Sequence, residues 1–525
     1  MYALSWAIRS KPEWQRKMRD SVIMEKWRKE ALEQQADVHI NEKITANMVN
    51  YVLTELAGYE TLSDPKSGIE SGPFDAIWYS DRLVSKEASR LLCEEVAKLE
   101  NVPDVLKDWH PGSNGQVLDL VHPSLYPIIY GRTRSGSNLV PLQPPAPVDS
   151  EHYASNALSK KYCWLPSDFS VDAATGSVTL ISPYINNLDP KKHQPLYRLI
   201  ESITASFVPL FERVLSQING KDQDLYRNVP PGSGRIMVER TFGTWSGYSF
   251  KCAGITVPCI WRDGEVKRSL RKTAPKVLPE AYKEYTGALE KTIVPYSLRG
   301  RTIQCIIKLA NIHLTPENSE YKGGSWHVEG MINERIVASG IYYYEEENIT
   351  ESRLAFRVTT SPPVYHKQND TMCAEILYGM EPDSHCCQDL GSIATSAGRA
   401  LAWPNIYQHR VAPFKLIDET KPGHRKILAI FLVDPSIEPI PSATTVAPQQ
   451  ADWAFAALED ARTDPASAFS RLPAELSEAV RDRFPESLLT RAEAESDRLH
   501  LMKERTMFVK VHDQELSHSF NMCEH

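Results

Sequence analysis

The stretch "GGSWHVEGMINERIVASGIYYY", residues 323–344, decides how this chain is read. Its second half is Ile, Val and Tyr, residues that favour a pleated, half-buried strand. His327 and Glu329 stand one residue apart just ahead of it. A carboxylate among apolar neighbours is costly to bury unless something pairs with it. On a strand, residues i and i+2 share one face with Cα atoms roughly 6.6 Å apart. A strand reading therefore lets His327 and Glu329 reach one point in space while Val328 packs behind them. A metal ion is one such partner, and a strand-borne salt bridge is the alternative.

Two ligands rarely complete a metal site. The third candidate lies in "AGRALAWPNIYQHRVAPFKL" (397–416), where Pro404 and Asn405 close an apolar run and His409 follows. Two imidazoles and one carboxylate form the facial triad of non-haem Fe(II) oxygenases, which leaves coordination positions for other molecules. Sixteen positions beyond His409, Arg425 opens the apolar run "RKILAIFLVDP". A guanidinium entering such a strand needs an anion, and its planar fork suits a carboxylate. In a 2-oxoglutarate-dependent oxygenase that anion is the distal carboxylate of the cosubstrate. Asp418, Glu419 or Asp434 could also pair Arg425, and His409 alone could cap a loop. His424 should face the other side of the strand.

Around this array the chain divides by character. Residues 1–139 read as mainly helical, with Trp14, Met18, Val22 and Trp27 of "KPEWQRKMRDSVIMEKWRKEALEQ" near one face of a helix. The Pro-rich "VPLQPPAPVDS" (140–150) is a connector. Within 151–230, "QPLYRLIESITASFVPLFERVLSQI" sets Leu196, Ile200, Ile203, Phe207, Leu210 and Val214 at helical spacing, so this helix should pack on the core; Pro209 is a possible kink. Residues 231–435 hold short β-branched and aromatic runs, "RIMVERTF", "RTIQCIIKLANIHLTP", "RIVASGIYYY", "SRLAFRVTT", "GRALAWPN" and "RKILAIFLVDP", which suit a sandwich or barrel better than a doubly wound sheet. Residues 450–525 return to helix. The class expected is α+β.

The 525 residues carry 42% hydrophobic and 24% charged residues, ordinary for a soluble globular protein. A net charge of −8 excludes a generally basic, nucleic-acid-binding surface. No apolar run approaches the ~18 residues that span a bilayer, and the first residues lack a signal-peptide core. Nine cysteines without regular spacing fit a reducing compartment, so the expected location is cytoplasmic, with no membrane or nucleic-acid partner. The acceptor patterns at Asn348 and Asn369 are taken as chance. "SHCCQD" (384–389) lacks the spacing of a structural zinc site, and "PPGSGR" (230–235) lacks the Lys-Ser/Thr ending of a phosphate loop.

The His-x-Glu, His and Arg array resembles the double-stranded β-helix (jelly-roll, cupin-like) superfamily of 2-oxoglutarate/Fe(II) dioxygenases. More closely, "GGSWHVEGMINERIVASGIYYYEEENITES", "GRALAWPNIYQHRVAPFKLIDETKPGHRKILAIFLVDP", "PQQADW", "NMCEH" and "KPEWQRK" resemble the fungal family of the domain of unknown function 4246. The resemblance implies a double-stranded β-helix core flanked by helices at both ends. It implies Fe(II) held by His327, Glu329 and His409, with 2-oxoglutarate as cosubstrate anchored by Arg425 and O2 as co-reactant. Succinate and CO2 would form beside an oxidised small molecule, such as an amino acid or specialised metabolite, with ascorbate as reductant in vitro. Hydroxylation is the default outcome, with desaturation or ring closure open. Arg399 and Tyr344 (or Tyr342) are further candidates for holding the cosubstrate. The superfamily more often has Asp where Glu329 stands; the retained carboxylate argues against a halogenase. Alternatives are a protein hydroxylase or demethylase of the same fold and a non-catalytic metal-binding cupin-like protein. A zinc hydrolase is disfavoured by Arg425 and by the lack of a His-Glu-x-x-His helix. Oligomeric state is not legible.

Overall fold

Thr302–Leu314 is thirteen residues of nearly unbroken burial, too apolar for a strand with one wet face. In the computed structural model it lies inside a nine-stranded sheet. The residues described are 1–35, 38, 43–145, 157–218, 281, 285–291, 293–359, 383, 385, 387–481 and 488–516. The expected strand "RIMVERTF", the "PPGSGR" turn, Asn369 and Cys386 lie outside them.

The strands are β1 (Glu70–Ser71), β2 (Trp78–Ser80), β3 (Val117–Val121), β4 (Ile128–Ile129), β5 (Arg134–Ser135), β6 (Val140–Pro141), β7 (Tyr162–Cys163), β8 (Ser167–Val171), β9 (Val178–Leu180), β10 (Thr302–Leu314), β11 (Glu320–Tyr321), β12 (Ile336–Glu347), β13 (Arg353–Thr359), β14 (Cys387–Ala394), β15 (Ala400–Pro404), β16 (Gln408–Val411), β17 (Phe414–Lys415) and β18 (Gly423–Val433). The large sheet runs β1-β2-β15-β12-β18-β10-β8-β9, with β3 also paired to β10. A second sheet runs β14-β13-β16, and β11 pairs β17. These ladders are antiparallel. Mixed helix and antiparallel sheet is the α+β class.

The first 139 residues are less purely helical than their periodicity suggests, because β1, β2 and β3 join the large sheet. The helices are α1 (Tyr2–Arg9), α2 (Trp14–Lys17), α3 (Ser21–Glu33), α4 (Ala46–Leu62), α5 (Lys86–Glu100), α6 (Gln194–Ile218), α7 (Ala288–Lys291), α8 (Ala451–Thr463), α9 (Ala474–Arg481) and α10 (Arg491–Leu516). The single helix expected through Trp14 to Trp27 is broken at Asp20, whose carboxylate accepts from the Val22 and Ile23 N–H groups and starts α3 afresh. Trp14 and Trp27 are buried, while Val22 turns to solvent.

Helix α6 runs unbroken through Pro209. Its six spaced apolar residues, from Leu196 to Val214, are all fully buried. It covers one face of β12 and β15, and Gly340 of β12 permits the close approach. A Cβ there would meet Phe207 at 2.8 Å and Phe211 at 3.0 Å. The opposite face follows from the ladder registers. Ser339, Ile341 and Tyr343 pair Phe431, Ala429 and Ile427 of β18, and these pair Ile306, Lys308 and Ala310 of β10. Trp403 and Leu401 of β15 share that face. Across from it stands the small sheet: Phe356 meets Trp403 at 5.4 Å between ring centroids and His409 meets Trp403 at 4.8 Å.

The Gly340 contact predicts a specific cost. Gly340→Ala should lower unfolding free energy by about 1–3 kcal/mol through overpacking against Phe207, read from the urea midpoint at unchanged slope. An unchanged midpoint would mean that α6 does not press on β12 in this way.

Candidate metal centre

His327 does not lie on a continuous strand, which corrects the strand reading of residues 327–329. It makes a single antiparallel bridge to His409: the His327 N–H donates to the His409 carbonyl at 3.2 Å, and the reverse bond is 2.9 Å. His409 is held in turn by β16, opposite Phe356 of β13. The two histidines are thus fastened through backbone, which fixes their rings 4.4 Å apart. The Trp326 ring, just before His327, is met by the Arg357 and Arg410 guanidinium groups at 4.8 and 4.6 Å from its centroid, which pins the approach.

Glu329 completes the group. Its Oε1 is 3.6 Å from His327 Nε2 and 3.4 Å from His409 Nε2. Two donors each ~2.1 Å from a common ion stand about 3.0–3.4 Å apart at cis angles between octahedral and tetrahedral, so the spacing suits a shared metal after a small contraction. The Ser325 carbonyl accepts from His327 Nδ1 at 2.8 Å, which turns Nε2 toward Glu329. Burial lowers the His327 pKa, but the Glu329 carboxylate outweighs it and the net shift is upward. Burial pushes Glu329 up, yet hydrogen bonds and charge from His327 and His409 hold it well below the ordinary value. His409 falls to about 4, first through burial and then through the neighbouring His327 charge. A carboxylate kept ionised beside a neutral imidazole is a donor set ready for a cation.

A residue with no assigned role in the sequence reading sets the Glu329 position. Asn405 is buried; its Oδ1 accepts from the Glu329 N–H at 2.9 Å and its Nδ2 donates to the Glu329 carbonyl at 2.8 Å. This two-point grip replaces the strand ladder that residue 329 lacks. The only hint in the sequence was its position closing the run before His409.

Arg425 enters β18 on the face shared by Tyr343 and Trp403, 2% exposed. Among the described residues no carboxylate lies within ion-pair distance of it, Asp418, Glu419 and Asp434 included. One Nη donates to the Ser352 hydroxyl, Nε has no partner, and the guanidinium lies over the rings of Tyr343 (5.0 Å) and Phe414 (5.7 Å). Burial presses its pKa down, and Tyr343, Tyr321 and the carboxylate of Glu346, its cross-strand neighbour, offset this only in part. A sealed guanidinium with open donors fits a carboxylate ligand.

The remaining sequence candidates are placed elsewhere. Arg399 spends its fork on Asp81, with Nε and Nη2 at 2.7 Å from the two carboxylate oxygens, and lines a cleft of about 550 Å3 with Tyr79 and Ser352. The Tyr344 hydroxyl donates to Asn311 at 3.1 Å on the opposite face of β12 from Arg425. Tyr343, not Tyr342 or Tyr344, faces Arg425; strand parity about the β12 bulge decides this, and the bulge has no sequence mark. His424 turns away to Glu345 at 3.2 Å.

A second group the sequence did not suggest joins His110, Asp119 and His122 on and beside β3. Asp119 is sealed from solvent and meets His110 Nδ1 at 2.7 Å. Burial raises its pKa, but His122, His110 and Lys308 more than reverse this and hold it far below the carboxylate range. His122 Nδ1 accepts from the Ser124 N–H at 3.2 Å, so its other nitrogen carries the proton in the neutral ring. With Arg498 3.8 Å away and Lys308 near, the cluster is already supplied with positive charge and is a poorer cation site than His327–Glu329–His409.

The family described as "Protein of unknown function (DUF4246)" matches residues 46–457, and the chain belongs to it. No curated protein matches the chain. Among solved structures, IDO from Bacillus thuringiensis is similar at 9% identity over 25% of this chain and 45% of its own, with a TM-score of 0.16. The selenomethionine-labelled Fe(II)/(alpha)ketoglutarate-dependent dioxygenase TqaL is similar at 17% identity over 27% and 48%, TM-score 0.16. EvdO2 from Micromonospora carbonacea var. aurantiaca, complexed with 2-oxoglutarate, is similar at 15% over 35% and 66%, TM-score 0.15. The chain aligns with less than half the length of the first two. Likeness this partial leaves the functional reading to the side chains.

The Asn405 grip is testable apart from catalysis. Asn405→Ala should weaken Mn(II) binding by about 10- to 100-fold, the usual cost of losing a group that orients a ligand, measured by the free-ion paramagnetic resonance signal. Undiminished affinity would show that Glu329 is positioned without it.

Proposed function

We propose that the protein is a non-haem Fe(II)/2-oxoglutarate-dependent oxygenase acting on a small molecule. The observation that carries this reading is the joint presence, between two facing sheets, of a His327–Glu329–His409 donor group and a desolvated Arg425 with no ion-pair contact among the described residues. A metal site alone would suit many proteins; a sealed guanidinium beside it calls for an anionic cosubstrate. The strand order supports the reading. β15-β12-β18-β10 faces β14-β13-β16, with β11 beside β17, which is the interleaving expected of a double-stranded β-helix.

When bound, Fe(II) with 2-oxoglutarate and O2 supplies the oxidising chemistry, and hydroxylation is its default outcome. The chain supplies position and dryness. His409 would offer a neutral Nε2 donor, His327 its Nε2 once the proton there is displaced by a metal, and Glu329 a carboxylate oxygen. Asn405 and the backbone bridge keep the three from drifting. Arg425, with Ser352 oriented by the Thr395 hydroxyl at 3.0 Å, receives the far carboxylate of the cosubstrate. Trp403 and Phe356 close the space behind His409 and exclude water there.

Purified protein supplied with Fe(II), ascorbate and 2-oxoglutarate should form succinate slowly without added substrate. His327→Ala or His409→Ala should abolish it. Arg425→Ala should raise the apparent KM for 2-oxoglutarate by about 10- to 100-fold, the cost of a lost charge-assisted contact. Turnover that survives both histidine changes would remove the proposed ligands from the reaction.

A further inference from the structure

The face that carries Arg425 holds a second cation. Lys308 lies on β10, level with Ala429 of β18 and Ile341 of β12, on the side turned toward the small sheet. It interrupts a strand otherwise buried from Ile303 to Asn311 and is itself half-buried. The opening has a structural cause. β10 is covered along its outer edge by β8 at residues 302–305 and by β3 at 309–312, and these ladders leave 306–308 uncovered. Lys308 therefore stands at a gap in the wall of the space between the sheets. Among the described residues it makes neither an ion pair nor a hydrogen bond.

Its surroundings do not supply the missing anion. Asp119 is the closest carboxylate in the register, on β3 opposite Ala310, yet it is committed to His110 and lies beyond ion-pair distance of Lys308. Arg425 is four residues away along β18, roughly 13 Å at strand spacing, so the two cations serve different ends of the space. The Lys308 charge acts at both His327 and Asp119. A lysine in a half-dry wall, with no ion pair among the described residues and facing the space between the sheets, is suited to an anionic ligand.

We infer that the molecule oxidised at this site carries a carboxylate, received by Lys308 on the inner face of β10. The inference rests on the oxygenase reading for the meaning of the site and adds the class of substrate. The same ammonium could instead receive the metal-chelating carboxylate of 2-oxoglutarate. Both sources share one chemistry, and affinity measurements separate them.

The test titrates L-amino acids, 2-hydroxy acids and monocarboxylic acids, each paired with its primary amide, by calorimetry into the full chain, metal-free and loaded anaerobically with Fe(II) and 2-oxoglutarate. At least one acid should bind tenfold or more tightly than its amide. Lys308→Met should erase that preference, and Lys308→Arg should keep it and show that the fold is intact. In Lys308→Met, unchanged 2-oxoglutarate affinity assigns the carboxylate to the substrate, and a tenfold loss assigns it to the cosubstrate and overturns the inference. No acid preferred over its amide, or a preference that persists in Lys308→Met, also overturns it. Acid preference without any 2-oxoglutarate-dependent succinate would retire the oxygenase reading and leave the Lys308 assignment standing.

Discussion

Sealing a guanidinium inside a protein without an ion-pair contact costs several kcal/mol, and among the described residues this fold does so at Arg425, with Glu346 acting on it only through space. The cost explains much of the arrangement around it. The Ser352 hydroxyl, the Tyr343 face and the Phe414 ring soften the loss of water without neutralising the charge. A core assembled for stability alone would place an aliphatic side chain at this position in β18. The residue is tolerable because the two sheets are held firmly elsewhere, by α6 behind β12 and by Trp403 between the layers. Its face of β18 is the one turned toward the small sheet that carries His409.

The donor group depends on backbone more than on side chains. His327 and His409 exchange both hydrogen bonds of an isolated bridge, and Asn405 supplies Glu329 with the partners that a strand neighbour would have given. This removes the need for His327 and Glu329 to sit on a regular strand. No helix among the described residues is long and apolar enough to cross a membrane.

Much of this was legible in the sequence, for identifiable reasons. The strands Thr302–Leu314, Ile336–Glu347 and Gly423–Val433 announce themselves by length and β-branched content, and α6 by its 3.6-residue stripe. The meeting of His327, Glu329 and His409 was legible because His and Glu are conspicuous beside apolar runs. Arg425 was legible because a charge opening such a run demands a reason. What was hidden depended on pairing. Which tyrosine faces Arg425 is set by a bulge in β12, the role of Asn405 by a contact 76 residues distant, and the engagement of Arg399 by Asp81 in the amino-terminal part. The strands β1 to β3 are short and lack alternation, so only their partners in the large sheet define them.

The central claim is that three side chains and one guanidinium form a single site for a metal and a keto-diacid. Anaerobic X-ray absorption and optical spectra of the protein titrated with Fe(II), before and after 2-oxoglutarate, test it most directly. One iron per chain in a shell of nitrogen and oxygen donors, two of them imidazole, should gain a visible charge-transfer band when the keto acid chelates it. Iron that binds with sulfur donors or in the same way to the His327→Ala/His409→Ala double variant, or an iron spectrum indifferent to 2-oxoglutarate, would contradict it.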